Sequence, residues 1–236
     1  TDAKKPASFT TGLLNVTADS FTVGANATAD LGTVTVGGTA TGLTVAASGA
    51  ATASKMTVSN GTLTVNGDLT VNKAADTPAV AAATDPVYDL TIGTTGNTVS
   101  GSLTAGSVLI GTAANAALTV SGTMQADSVT VQGDAAAAML TVSGAESSVT
   151  IGALNLNKSG TVSVGDSGAV VVTGDTVFAK DSKGDFTVNG TGAKVSLQNV
   201  SFAKEATGKV NVQDGSVTID GTLTANSGSL TIAGAT

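Results

Sequence analysis

Gly61-Thr62-Leu63-Thr64-Val65-Asn66-Gly67-Asp68-Leu69-Thr70-Val71 contains one short pattern twice, apolar–Thr–apolar, with an Asn-Gly-Asp punctuation between the copies. Alternate side chains of an extended segment point to opposite sides. Leu63 and Val65 therefore enter one core while Thr64 faces water, and Leu69, Thr70 and Val71 repeat the arrangement. β-Branched residues favour this conformation. Asn66 and Gly67 tolerate the positive φ that a tight corner demands. The stretch thus predicts two very short strands separated by a sharp bend.

The same tripeptide recurs along the whole chain. It is found at Phe21-Thr22-Val23, Val34-Thr35-Val36, Leu43-Thr44-Val45, Met56-Thr57-Val58, Leu90-Thr91-Ile92, Leu118-Thr119-Val120 and Val129-Thr130-Val131. Further copies are Leu140-Thr141-Val142, Val149-Thr150-Ile151, Val162-Ser163-Val164, Phe186-Thr187-Val188, Val195-Ser196-Leu197, Val217-Thr218-Ile219 and Leu230-Thr231-Ile232. Turn-forming pairs lie between them, among them Asn60-Gly61, Gly133-Asp134, Gly174-Asp175, Asn189-Gly190, Asp214-Gly215 and Asp220-Gly221. A meandering sandwich or barrel also spaces its turns at about 8–12 residues. Its strands, however, typically run ~5–6 residues or more. Near-copies of three to five residues fit better in coils that stack on themselves. The fold class predicted is all-β, a β-solenoid (parallel β-helix) of short stacked strands with a thin aliphatic core. At roughly 20 residues and two or three strands per coil, some ten coils would form a rod ~45–50 Å long.

Composition agrees with a thin core. The chain has no Cys, His or Trp, aromatics are 3%, and 41% of its 236 residues are hydrophobic. A core one side chain deep from each wall is easily filled by Val, Leu, Ile and Ala. No stretch approaches the ~20 consecutive apolar residues of a spanning helix, and regular apolar placement argues against disorder. A net charge of −7 speaks against nucleic acid and against docking on bare anionic lipid. Residues 1–9 have no apolar core of a signal peptide, so one has been removed or the chain is an excerpt.

The repeat divides the chain into an N-terminal flexible or capping arm (1–11), a first run of rungs (12–71), a Pro/Ala-rich excursion or linker (72–89) and a second run (90–236). Lesser breaks are expected at the alanine-rich residues 133–139 and at a charged, hairpin-like loop over 180–185. Gly228-Ser229-Leu230-Thr231-Ile232 reads as an interior rung with no polar cap after it, which suggests a longer chain or end-to-end contact with another copy.

Most catalytic constellations lack their parts. All ten basic residues are lysines, so Ser–His–Asp triads, Cys–His pairs and arginine clamps are excluded. Carboxylate pairs of the glycosidase kind are the exception; Asp166 with Asp175, Asp181 with Asp185, and Asp214 with Asp220 are candidates. Each sits beside Gly or in an evident turn, where turn formation explains it. No residue is assigned a catalytic, cofactor-binding or metal-ligating role. Calcium is the one ion worth considering, since it takes oxygen ligands and Asp166, Asp175, Asp181 and Asp185 are the densest acidic group. Outward threonines, as in Thr62-Leu63-Thr64, Thr33-Val34-Thr35 and Thr222-Leu223-Thr224, would form flat ladders of the ice-binding kind if they stacked, but the coil spacing drifts. Sequons occur at Asn15, Asn26, Asn60, Asn189 and Asn199. Lysines concentrate at Lys158, Lys180, Lys183, Lys194, Lys204 and Lys209, as a solubilising surface or as a face that salt-bridges an acidic neighbouring copy.

The near-identical rungs of 61–71 resemble the passenger stalks of autotransporters and haemagglutinin-type adhesins. The poor residue alphabet, acidic balance and lysine-only base set resemble bacterial S-layer subunits. This resemblance covers the chain apart from its first eleven residues and the excursion, and offers no motif whose functional residues could be carried over. It implies an extracellular location on a bacterial surface and a structural or adhesive role. The expectation is an extracellular structural protein, a self-associating rod or tile of a surface layer, filament or stalk, with no enzymatic activity. The alternative is an adhesin gripping a glycan or host surface. Ice binding and polysaccharide cleavage stand behind both. Nucleic acid and membrane insertion are not expected.

Overall fold

A tripeptide that buries its two apolar side chains still has backbone N–H and C=O groups to satisfy, and three residues cannot do so alone. Each rung must pair with the rungs before and after it. The structure, a computed structural model, describes residues 6–71, 88–111 and 115–232, except the side chains of 135 and 136. Within these the chain is an all-β parallel solenoid of about nine turns, with no helix.

Every coil has three faces. The first is built from residues 8–10, 28–30, 50–53, 68–71, 102–105, 123–126, 148–151, 169–172, 194–197 and 216–219. The second uses 13–16, 33–36, 55–58, 90–92, 108–110, 129–131, 154–156, 176–178, 200–202 and 223–225. The third uses 21–23, 43–45, 63–65, 97–99, 118–120, 140–142, 162–164, 186–188, 210–212 and 230–232. Coils are numbered 1 to 10 by these rungs, and the first, second and third corners follow the faces of the same name. Nine steps of ~4.8 Å make a stack of about 43 Å.

Coil length varies while register does not. Ser8 pairs with Thr28, Ala50 with Asp68 and Thr123 with Ser148, so these coils take 20, 18 and 25 residues. The corners absorb the difference, chiefly the second and third. The stretch 72–89 lies outside the described residues except for Tyr88 and Asp89. Pairing runs on from one side of it to the other: Met56 pairs with Leu90, Thr64 with Thr98 and Leu69 with Leu103. At the N-terminus, Ser8–Thr10 of the expected arm forms the first rung, paired with Thr28–Asp30.

Two details differ from the sequence-based expectation. Eleven of the nineteen strands among the described residues keep three to five residues, but elsewhere tight corners let extended backbone continue: Thr123–Val142 is one strand of 20 residues that wraps all three faces of coil 6. The alanine-rich residues 133–139 are its second corner, with a register irregularity between Gly133 and Ala138. Residues 180–185 are likewise the second corner of coil 8, not a hairpin. Phe178 pairs with Leu156 and Phe202, while Phe186 pairs with Val162 and Val210, so the flanking strands do not pair with each other.

The core is a column of ladders. Leu43 stacks on Leu63 and Leu118 on Leu140 along the third face, with Asn97 between the two pairs, and Met56, Leu90, Val108 and Val129 stack along the second, the apolar side chains all fully buried. Phe178, Phe186 and Phe202 fill coils 8 and 9, with the rings of Phe178 and Phe202 stacked at 4.4 Å. Several corners close with a four-residue turn, as in Ala27 N–H to Gly24 C=O and Ser182 N–H to Ala179 C=O. The third turn residue has positive φ, at 58° in Asn26, 60° in Ser48 and 63° in Asp181, as a type II turn requires.

Candidate functional surfaces

The candidate carboxylates are dispersed over separate corners. Asp166 lies at the third corner and accepts the Thr191 backbone N–H at 2.9 Å. Asp175 lies at the first corner and accepts the Asn199 side-chain amide at 2.9 Å. Asp181 occupies the turn at the second corner of coil 8, and Asp185 ends that corner, 3.7 Å from the Lys209 ammonium. Asp214 accepts the Thr191 hydroxyl and Asp220 the Ser196 hydroxyl, both at 2.8 Å. The four acids that are dense in sequence thus spread over three edges of the prism. Among the described residues no three His, Cys, Asp or Glu side chains come together as a metal site.

Cross-coil contacts explain the acids that sequence offers as pairs. Asp166, Asp175, Asp185, Asp214 and Asp220 each bridge to a neighbouring coil about one turn away in sequence and hold successive corners together, while Asp181 supplies the positive-φ position of its own turn. Ser107, at the first corner of coil 5, shows the same economy: its N–H and hydroxyl both reach the Asp89 carboxylate at 2.8 Å.

Lysines do gather. Lys158, Lys180, Lys183, Lys204 and Lys209 all lie along the second corner of coils 7–9. Three are engaged by acids of adjacent coils: Lys158 with Asp134, Lys180 with Glu205 at 3.3 Å and Lys209 with Asp185. Each pair is well exposed, which limits it to roughly 0–1 kcal/mol.

Outward threonines stay aligned despite the drifting coil length. Thr22, Thr44, Thr64, Thr98, Thr119 and Thr141 form one column on the third face, with Thr22 on Thr44, Thr44 on Thr64 and so on. The doubled arrays do not form. Thr62-Leu63-Thr64 lies on the third face, whereas Thr33-Val34-Thr35 and the Thr222-Leu223-Thr224 segment lie on the second, in coils 2 and 10. The first face carries a two-column surface that the apolar–Thr–apolar pattern did not reveal. Ser102, Thr104, Thr123, Gln125, Ser148 and Thr150 line a shallow polar trough of about 180 Å³ across coils 5–7. Its signal in the sequence is a polar–apolar–polar–Ala/Ile tetrapeptide, as in Ser102-Leu103-Thr104-Ala105.

Of the sequon asparagines named above, Asn15 is on the second face and the other four lie at corners, as does Asn157, whose Asn157-Lys158-Ser159 is a sixth sequon. Asn60 donates to the Gly38 carbonyl, and Asn199 accepts the Thr222 N–H. Comparisons with protein-family models, with curated proteins and with solved structures give no match to this chain.

Proposed function

We propose that this chain is an extracellular structural protein of the bacterial cell surface, a self-associating β-solenoid rod or tile without enzymatic activity. The observation that carries this reading is the parallel register kept on three faces through ten coils. It makes a stiff prism whose outward residues are small, hydroxylated and repeated, with many of its polar corner groups bonded to neighbouring coils. A chain without His, Cys or Arg suits that role, and the resemblance to S-layer and autotransporter proteins supports the extracellular location. Electron microscopy of the purified protein, with and without calcium, tests it. Ordered sheets or fibres are expected. Isolated monomers that instead bind cells or glycans would overturn it.

A second reading, an adhesin for surface glycans, is favoured by the polar trough on the first face. Adjacent hydroxyl and amide groups there can hydrogen-bond a sugar. Glycan-array binding that is lost in a Gln125→Ala/Thr150→Val variant would support it, and an array with no hits would remove it.

A further inference from the structure

The three edges of the prism carry different charge. Five of the chain's ten lysines lie on the second corner of coils 7–9, against Asp181, Asp185 and Glu205 at the same corner. Lys183 and Lys204 are exposed, and neither ammonium group has an ion-pair or hydrogen-bond partner among the described residues. The first corner is the opposite case. From coil 5 onward its charged residues are Asp127, Asp175 and Asp220, all exposed, with no lysine among them. Among the described residues the Asp127 carboxylate has no polar partner, and those of Asp175 and Asp220 receive only neutral donors, the Asn199 amide and the Ser196 hydroxyl. The third corner also carries acids: Asp166 accepts a backbone N–H of the next coil and Asp214 one of its own turn, which leaves Glu146 as the one exposed acid there from coil 5 onward without a partner among the described residues.

We infer that copies of this chain pack side by side, the lysine-bearing second corner of one copy against the acidic first corner of the next. The inference rests on the self-association proposed above and names the surface that carries it. Complementary charge is the argument for a second copy as the occupant. The acidic edge presents a carboxylate on every second coil, ~9.6 Å apart, and the lysines span coils 7 to 9, an equal length of axis. The two edges are different patches, so the contact is heterologous. Each copy that uses its lysine edge still has its acidic edge free, and a contact of this kind extends into open arrays or closes into rings. A tile grows from such a contact without any change in the fold.

Sedimentation velocity on the full chain tests this from about 0.01 M to about 1 M salt, over which the Debye length falls from ~30 Å to ~3 Å. Assemblies at low salt should dissociate as salt rises. Lys183→Glu/Lys204→Glu should weaken association at least ~10-fold while the circular dichroism spectrum stays that of the parent. Adding Asp127→Lys/Asp175→Lys to that variant should restore association by exchanging the two edges. Assemblies that persist at high salt and in the charge-reversed variant would overturn the edge contact while leaving self-association standing. Monomers under every condition would overturn both.

Discussion

Two buried polar residues interrupt otherwise apolar ladders, and they do opposite things. Asn97 takes an inward place on the third face between Leu63 and Leu118. Its carbonyl accepts the Leu63 N–H at 2.8 Å, and its amide donates to Thr94 C=O at 2.7 Å and Ala117 C=O at 3.0 Å. The side chain replaces ladder bonds where the corner at 94–96 leaves the regular path. Asn97→Leu would match its neighbours in shape and still orphan a buried N–H, at a cost of about 1–3 kcal/mol. Chemical denaturation should show that loss; a variant as stable as the parent would contradict it. Thr176 sits between Leu154 and Val200 on the second face, and its buried hydroxyl has no partner among the described residues. Thr176→Val keeps the shape and removes the unsatisfied group, so it should stabilise by about 1–2 kcal/mol. A destabilised variant would mean that the hydroxyl has a partner after all.

Corners are where elements are decided. Immediately before the first-face rungs of coils 3 to 6 stand Gly49, Gly67, Gly101 and Gly122, and each later glycine approaches the carbonyl of the one before it. A Cβ at Gly101 would overlap the Gly67 carbonyl oxygen, whereas one at Gly12 meets nothing within 4 Å. Gly101→Ala should therefore cost about 3 kcal/mol, at the upper end of overpacking because backbone must move. Gly12→Ala should leave the thermal midpoint nearly unchanged. Equal effects would refute the stacked-corner account.

Element scale is also where legibility in the sequence divides. Rungs such as Leu43-Thr44-Val45 announce themselves by alternation. Rungs such as Leu154-Asn155-Leu156, Thr176-Val177-Phe178 and Ala169-Val170-Val171-Val172 do not, because Asn, Thr or a second Val stands where the simple pattern has another type. Their place is set by the coils above and below, which sequence periodicity cannot express. The same holds for the surfaces. The acidic group was visible as a density of Asp, but which edge each residue occupies depends on how many residues each corner absorbs. For that reason the lysine edge and the hydroxyl trough became visible only with the register.

Taken whole, the molecule is a one-dimensional stack in which each coil touches only its neighbours, so stability should be nearly a sum over coils and their interfaces. Removing residues 123–147 would bring Ser148-Val149-Thr150-Ile151 onto Ser102-Leu103-Thr104-Ala105, one like rung replacing another. The shortened chain should fold with parental β-sheet circular dichroism and a modestly lower thermal midpoint; an unfolded product would show that the coils are not interchangeable. The end coils expose apolar side chains, with Leu13 at 58% and Ile232 at 73%, and should lose protection in hydrogen exchange before the interior ladders do. Stiffness along one axis and complementary edges across it are what a tile or filament needs. X-ray diffraction from an oriented, concentrated specimen tests that combination most directly. The account predicts a ~4.8 Å reflection along the rod axis, together with sharp lateral reflections from rods in register. A ~4.8 Å signal without lateral order, at every concentration and salt, would contradict it.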